Sequence, residues 1–218
     1  MPLNRSFSYK GFEIEHVVNA RMKNIYLRIG DDGRVVVKSS KISERRLLAL
    51  IDEREQWITK ALHNIAAKPK AELGEEILYF GEIYPLDYHP SFEKLRSRCE
   101  SAPKETLHRH YQHFYRSEAQ SYLRERLEYF ALRMELRPKE MKLRHMRRQW
   151  GNCRSNGVIT FNINLIQVPK ECIDYVVVHE LAHMVHMNHS KAFHDLVEQH
   201  LAQSREKRAL LKRFNASL

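Results

Sequence analysis

The chain reads as an α+β protein, with a β-rich first part carrying one helix and a second part built around a metal-ligand motif on a central helix. Three observations predict this. The first ninety-odd residues alternate apolar and polar positions between Gly-containing turns, which is the patterning of strands. Over residues 104–136 the apolar positions instead recur at intervals of three and four, the period of an amphipathic helix. Further on, the apolar run Tyr175, Val176, Val177, Val178 leads directly into His179, Glu180 and His183, placing H-E-x-x-H on a buried helix.

Taken in order, residues 7–18 alternate as a strand. Residues 25–29 and 34–37 flank Gly30-Asp31-Asp32-Gly33, which reads as a hairpin turn. Ser43 is placed as an N-cap, and Leu47, Leu48, Ile51, Trp57, Ile58, Leu62 and Ile65 suit a helix ending before Pro69. A second hairpin, 77–80 with 83–88, turns at Gly81-Glu82. Residues 91–103 are polar and irregular and serve as the expected boundary between a part spanning 1–95 and a part spanning 104–218. In the long helix, Leu107, Tyr111, Phe114, Tyr122, Leu127, Phe130 and Met134 form the apolar face, while His108, His110 and His113 are read as surface residues. Pro138 closes it. Strands are expected at 141–147 and 158–163, joined through Ser155-Asn156-Gly157. The motif helix opens at Pro169 with Lys170 and Glu171, and a last helix spans 191 to about 203. There are no internal repeats and no low-complexity segment.

With 218 residues, 43% hydrophobic and 29% charged, the composition is that of a globular protein with a sizeable core. No apolar run approaches the ~20 residues that span a bilayer, and the first seven residues lack the hydrophobic centre of a signal peptide. Cys99, Cys153 and Cys172 are odd in number and show no C-x-x-C spacing, which argues against a disulfide framework and against a Cys-based metal site. These features predict a cytoplasmic protein with reduced thiols and no membrane partner. The net charge of +10 is uneven: residues 94–148 hold 15 Lys or Arg against 7 Glu, densest around Lys139, Lys142, Arg144, Arg147 and Arg148. Such a surface attracts nucleic acid, nucleotides or acidic protein segments, although no recognised nucleic-acid-binding motif accompanies it.

Residues four apart on a helix share a face, so His179 and His183 can point two imidazoles at one ion. Glu180 lies beside them, placed to take a proton from a water that the metal activates, and to return it to a leaving group. A catalytic zinc usually keeps three protein ligands, and three regions can supply the third. His189 follows Asn188, which can end a helix in the left-handed conformation. His186 lies three residues after His183, on the same helix but farther along its axis. His194 and Glu198 lie on the next helix. The pattern predicts a Zn²⁺-dependent hydrolase acting on polypeptide. Tyr175, Asn152, Arg154 and His186 are candidate oxyanion donors, with Tyr175 also suited to packing beneath the site. The strand at 158–163 is a candidate edge for binding extended substrate by strand addition. Trp150 and Gly151 can shape a cleft floor, and Phe193 and Leu196 can pack the last helix on the motif helix. Two rival readings keep the metal: a phosphohydrolase using the basic 139–148 segment, and a non-catalytic basic protein with a four-ligand structural zinc completed by His194 or His186.

Four stretches together carry a family resemblance: Arg148-Gln149-Trp150-Gly151-Asn152-Cys153, Gly157-Val158-Ile159-Thr160-Phe161-Asn162, residues 173–184, and Asn188-His189-Ser190-Lys191-Ala192-Phe193. In this combination the chain resembles the YgjP-like metallopeptidases, relatives of the SprT and Spartan-type zinc proteases. The resemblance covers nearly the whole chain and is strongest over 141–197. It implies a zincin-type fold in the second part, a zinc held by His179, His183 and His189, and Glu180 as the catalytic carboxylate. The chain departs from the pattern at His194, where many members carry Trp. The resemblance does not specify a substrate.

Overall fold

The computed structural model describes residues 4–30, 32–66 and 69–214. The chain divides into two compact units, Met1–Lys68 and Pro69–Leu218.

The first unit holds strands β1 (Asn4–Tyr9), β2 (Phe12–Val18), β3 (Tyr26–Ile29) and β4 (Val35–Ser39), and helix α1 (Glu44–Ala66). The sheet order is β1-β2-β4-β3, with β2 and β4 parallel and the other pairs antiparallel. Residues 7–18, expected as one strand, form most of a hairpin. Lys10 and Gly11 adopt φ of 51° and 78°, the left-handed pair that a two-residue turn requires. In the next turn the Gly30 N–H donates to the Arg34 carbonyl at 2.8 Å; Asp31, part of the expected turn, lies outside the described residues. Ser43 caps α1 as expected, its Oγ accepting from the Arg46 N–H at 3.3 Å. Leu47, Ile51 and Ile58 pack with Ile14, Val35 and Val37. Trp57 is not part of that face and is 47% exposed: one position away from Ile58 is 100° around the helix.

The second unit opens with β5 (Glu76–Tyr79) and β6 (Glu82–Pro85), an antiparallel hairpin turning through Phe80 and Gly81 at φ of 48° and 95°. The hairpin tip docks on residues 166–169. The Phe80 and Gly81 N–H groups donate to the carbonyls of Ile166 and Gln167, and a Cβ at Gly81 would lie 2.7 Å from Pro169 Cγ. Residues 91–103, expected as a boundary, instead carry most of a 3-10 turn (Pro90–Phe92) and helix α2 (Glu93–Glu100). Phe92, Leu95 and Cys99 are buried in the same core as the helix that follows. Three apolar positions at helical spacing anchor this short helix, but they are too few to stand out from a polar sequence. The units therefore part at Lys68 and Pro69 rather than near residue 95.

Helix α3 (Lys104–Arg133) buries Leu107, Tyr111, Phe114, Tyr115, Leu123, Leu127 and Phe130. Its aromatics Tyr111, Phe114, Tyr115 and Phe130 are core, with the Tyr111 and Tyr115 hydroxyls donating to the carbonyls of Glu76 and Leu78. His108 and His113 are exposed and His110 half-buried. A three-stranded sheet follows, with β7 (Glu140–Arg144), β8 (Gly151–Cys153) and β9 (Val158–Asn162) in the order β7-β9-β8. β9 is parallel to β7, antiparallel to β8, and buried along its whole length. The expected exposed edge at 158–163 is thus the central strand, and β8, too short to show alternation in sequence, is an edge. A 3-10 turn (Ile163–Gln167) leads into α4 (Lys170–Ala182), whose Ile173, Val177, Val178 and Leu181 are fully buried. The chain ends with α5 (Lys191–His200) and α6 (Ser204–Leu211), where one helix to about residue 203 is expected. The break is stabilised by the Glu198 carboxylate, which accepts from the N–H groups of Gln203 and Ser204 and from the Ser204 hydroxyl. Among the described residues no helix is long and apolar enough to cross a membrane. All three cysteines are free and buried.

The first unit carries its own pH dependence. His16 is buried and shares a 2.8 Å hydrogen bond with Ser39 Oγ, and burial, followed by the charge of Arg5, lowers its pKa below 6.5. The folded unit therefore disfavours the imidazolium. Its stability is complete above the unfolded pKa and falls as the pH drops from about 6.5 toward the lower folded value. His16→Gln is expected to lose less stability than the wild type between neutral and mildly acidic pH, as measured by chemical unfolding at each pH.

Candidate metal centre

Helix α4 is buried and apolar from Tyr175 to Val178, and the turn that follows carries His179 and Glu180. It ends at Ala182, with His183 as its C-cap and residues 183–185 forming a turn. His186 is consequently off the helix. Asn188 is not left-handed, since it is absent from the residues with positive φ. A bend at residues 187 and 188 brings His189 back instead.

The result is a cluster of three imidazoles, His179, His183 and His189, whose ligand atoms lie within 4.8 Å of one another. The Nε2 atoms of His179 and His189 are 3.2 Å apart. Among the described residues no fourth His, Cys, Asp or Glu joins the group. The other candidates for third ligand do not join the group. His186 turns its backbone carbonyl to His183 Nδ1 at 3.1 Å. Glu198 caps α6. His194 stacks at 6.2 Å, centroid to centroid, behind His189.

Each imidazole on α4 is oriented through its far nitrogen. With the His186 carbonyl accepting from Nδ1–H, His183 is left with Nε2 as its donor atom. Tyr175, one turn before His179, places its hydroxyl 3.4 Å from His179 Nδ1, which leaves His179 Nε2 facing the cluster. Hydrogen bonds of this kind fix the tautomer and orientation of metal-binding histidines. Burial first, then the neighbouring His183, His189, Arg208 and His194, drives His179 down to about 3, and burial lowers His189 too. Both shifts favour the neutral form of His179 and His189, the state in which imidazole ligates a metal.

Beneath the three rings lies Phe193, fully buried on α5, with ring centroids 4.9, 4.6 and 4.9 Å from those of His179, His183 and His189. Ser190 fixes the start of that helix by accepting from the Phe193 N–H. Packing α5 onto α4 and backing the histidines are therefore one contact.

Glu180 is only 5% exposed. Burial raises its carboxyl to about 8, against a hydrogen bond from the Cys153 backbone N–H that lowers it. The strand geometry explains that hydrogen bond. Asn162 N–H donates to Trp150 O and Arg154 N–H to Val158 O, so residues 150 and 154 of the β8 segment face β9. By alternation, Gly151 and Cys153 turn their backbone groups away, toward Glu180. The approach is close: a Cβ at Gly151 would lie 2.5 Å from Glu180 Oε1 and 2.7 Å from its Cγ. The loop before β8 is held by buried Asn162, whose Nδ2 donates to the carbonyls of Met146 at 2.6 Å and Gln149 at 3.1 Å. Gly151, Cys153, Asn162 and the His186 carbonyl are thus site residues that spacing alone does not reveal. Their only sequence signal is the co-occurrence of W-G-x-C with the Asn that ends β9. Of the expected oxyanion donors, Tyr175 is committed to His179, the His186 contact with His183 is made by its backbone carbonyl, and Asn152 and Arg154 are exposed on either side of Cys153.

A family model described as YgjP-like, metallopeptidase domain, matches residues 23–214. No curated protein sequence matches the chain. Among solved structures, the chain is similar to the crystal structure of the metallopeptidase zymogen of Pyrococcus abyssi abylysin, at 20% identity and a TM-score of 0.38, over 41% of this chain and 92% of that one.

The Gly151 contact yields a direct test. Gly151→Ala is expected to destabilise the protein by about 1–3 kcal/mol, the usual cost of overpacking. The loss should shrink once Glu180 is shortened in the Gly151→Ala/Glu180→Ala double variant. Strictly additive losses in denaturant unfolding would show that the Glu180 side chain is not what excludes a methyl group at position 151.

Proposed function

Because this chain belongs to the YgjP-like metallopeptidase domain family, we propose that it is a zinc-dependent peptidase with a zincin-like second unit, in which His179, His183 and His189 hold the metal and Glu180 is the catalytic carboxylate. The observation that carries this reading is the convergence of three imidazoles next to a buried carboxylic side chain. The donor set suits zinc: a three-nitrogen site leaves one position for water, whereas a structural zinc usually takes four protein ligands. The lack of a fourth ligand among the described residues favours catalysis over a structural role.

The bound ion would supply Lewis acidity, making water a nucleophile near neutral pH and polarising the scissile carbonyl. The chain's own residues do the rest. A carboxylate oxygen of Glu180, made more basic by burial, accepts the proton of the attacking water and delivers it to the leaving amine. The Cys153 N–H and the close passage of Gly151 hold that carboxylate in place. Tyr175 and the His186 carbonyl keep Nε2 of His179 and His183 directed at the metal. Extended substrate pairs with the outward backbone groups of β8, the edge strand beside Glu180, as an added strand.

Wild type is expected to contain about one zinc per chain by elemental mass spectrometry, with most of it lost in His189→Ala. Glu180→Gln should keep its zinc and lose peptide cleavage by a factor of about 10²–10⁴. Zinc retained in His189→Ala would return the third ligand to His194, His186 or Glu198. Strong inhibition by phosphate with steep salt dependence would assign the site to an anionic small substrate instead.

A further inference from the structure

Beside the metal centre, between α5 and α6, lies a groove of about 420 Å³. It shares a wall with the site: Tyr175, whose hydroxyl meets His179, Phe193, which backs all three imidazoles, and His194, which stacks behind His189. The opposite wall is α6 and its end, presenting Arg205, Arg208 and Lys212. Spacings of three and four place these on one face of a helix. None of the three forms an ion pair within 4.0 Å among the described residues, although the Arg205 charge reaches Glu198. Among the described residues no acidic side chain lines the groove. It therefore sets three cationic side chains beside Tyr175, Phe193 and Val197, and it adjoins the residues that would hold the metal.

The geometry points to a specificity subsite for carboxylates: the α5–α6 groove receives an acidic side chain of the polypeptide substrate next to the scissile bond, paired with Arg208 and Lys212. This rests on the peptidase reading above and adds a substrate class to it, polypeptides with Glu or Asp near the cleavage point. The cations are exposed, so their contribution is a preference rather than tight binding.

Two measurements on the full-length chain test it. The first needs no cleavage: zinc-loaded Glu180→Gln protein is titrated with a fluorescein-labelled tetraglutamate peptide and with its tetraglutamine counterpart. The glutamate peptide is expected to bind roughly tenfold more tightly. Adding Arg208→Gln/Lys212→Gln should erase that difference without changing zinc content, whereas Arg147→Gln/Arg148→Gln should leave it intact. Equal binding of the two peptides overturns the proposal. So does a preference that survives at 208 and 212 but disappears at 147 and 148, or displacement by inorganic phosphate at far lower concentration than by free glutamate. The second measurement maps cleavage sites in a peptide library by mass spectrometry. Cleavage with no enrichment of Glu or Asp near the cut leaves the peptidase reading standing and removes the subsite. Groove-dependent binding of the glutamate peptide with no cleavage by zinc-loaded wild type keeps the carboxylate groove and removes the peptidase reading.

Discussion

Glu180 sits almost entirely out of water, and an enclosed carboxylate persists only where a donor meets it. That donor is a backbone N–H of β8, and much of the site's architecture follows from delivering it. Cys153 faces Glu180 because β8 alternates against β9. β8 has the right register because Asn162, at the end of β9, fixes the carbonyls of the loop that leads into it. β9 in turn is rigid because it is flanked on both sides and buried throughout. Gly151 completes the arrangement by leaving the space a side chain would take.

The imidazoles rest on a second, independent support. Two come from the final turn of α4 and its cap, the third from the loop beyond, and all three contact Phe193. An aromatic ring on the neighbouring helix thus packs against all three imidazoles, while hydrogen bonds at Tyr175 and His186 orient two of them, His179 and His183. The Glu180 side chain is positioned by the sheet and the imidazoles by the helices, so the geometry between them depends on how tightly α4 is held between those layers.

Much of this was legible in the sequence where the cause is local. H-E-x-x-H spacing is a property of a single helical turn, and His189 stood out because a short loop returns it to the same place. Ser43, Gly81 and Gly157 announced their cap and turns through side-chain chemistry or positive φ. What escaped was fixed by distant contacts. β8 has three residues, too few for alternation to register, and it exists because β9 pairs with it. The His186 side chain looked like a ligand, whereas its backbone carbonyl does the orienting. Residues 91–103 looked like a linker because only Phe92, Leu95 and Cys99 among them are apolar and buried. The strand at 158–163 looked like an edge because a sequence does not state how many neighbours a strand has.

The brevity of β8 has a kinetic side. Of its three residues, Gly151 turns both backbone groups outward, and Cys153 has already given its N–H to Glu180. A guest chain laid along this edge finds only a few rungs, far fewer than one held on a long strand. Residence on such a ladder is brief, because few bonds must break at once for the guest to leave. Selection then falls on encounter and on side-chain fit during a short stay, and it favours segments that are already extended. On the strand-addition reading proposed above, a well-folded protein, whose strands and loops are occupied by their own partners, would pass by largely uncut.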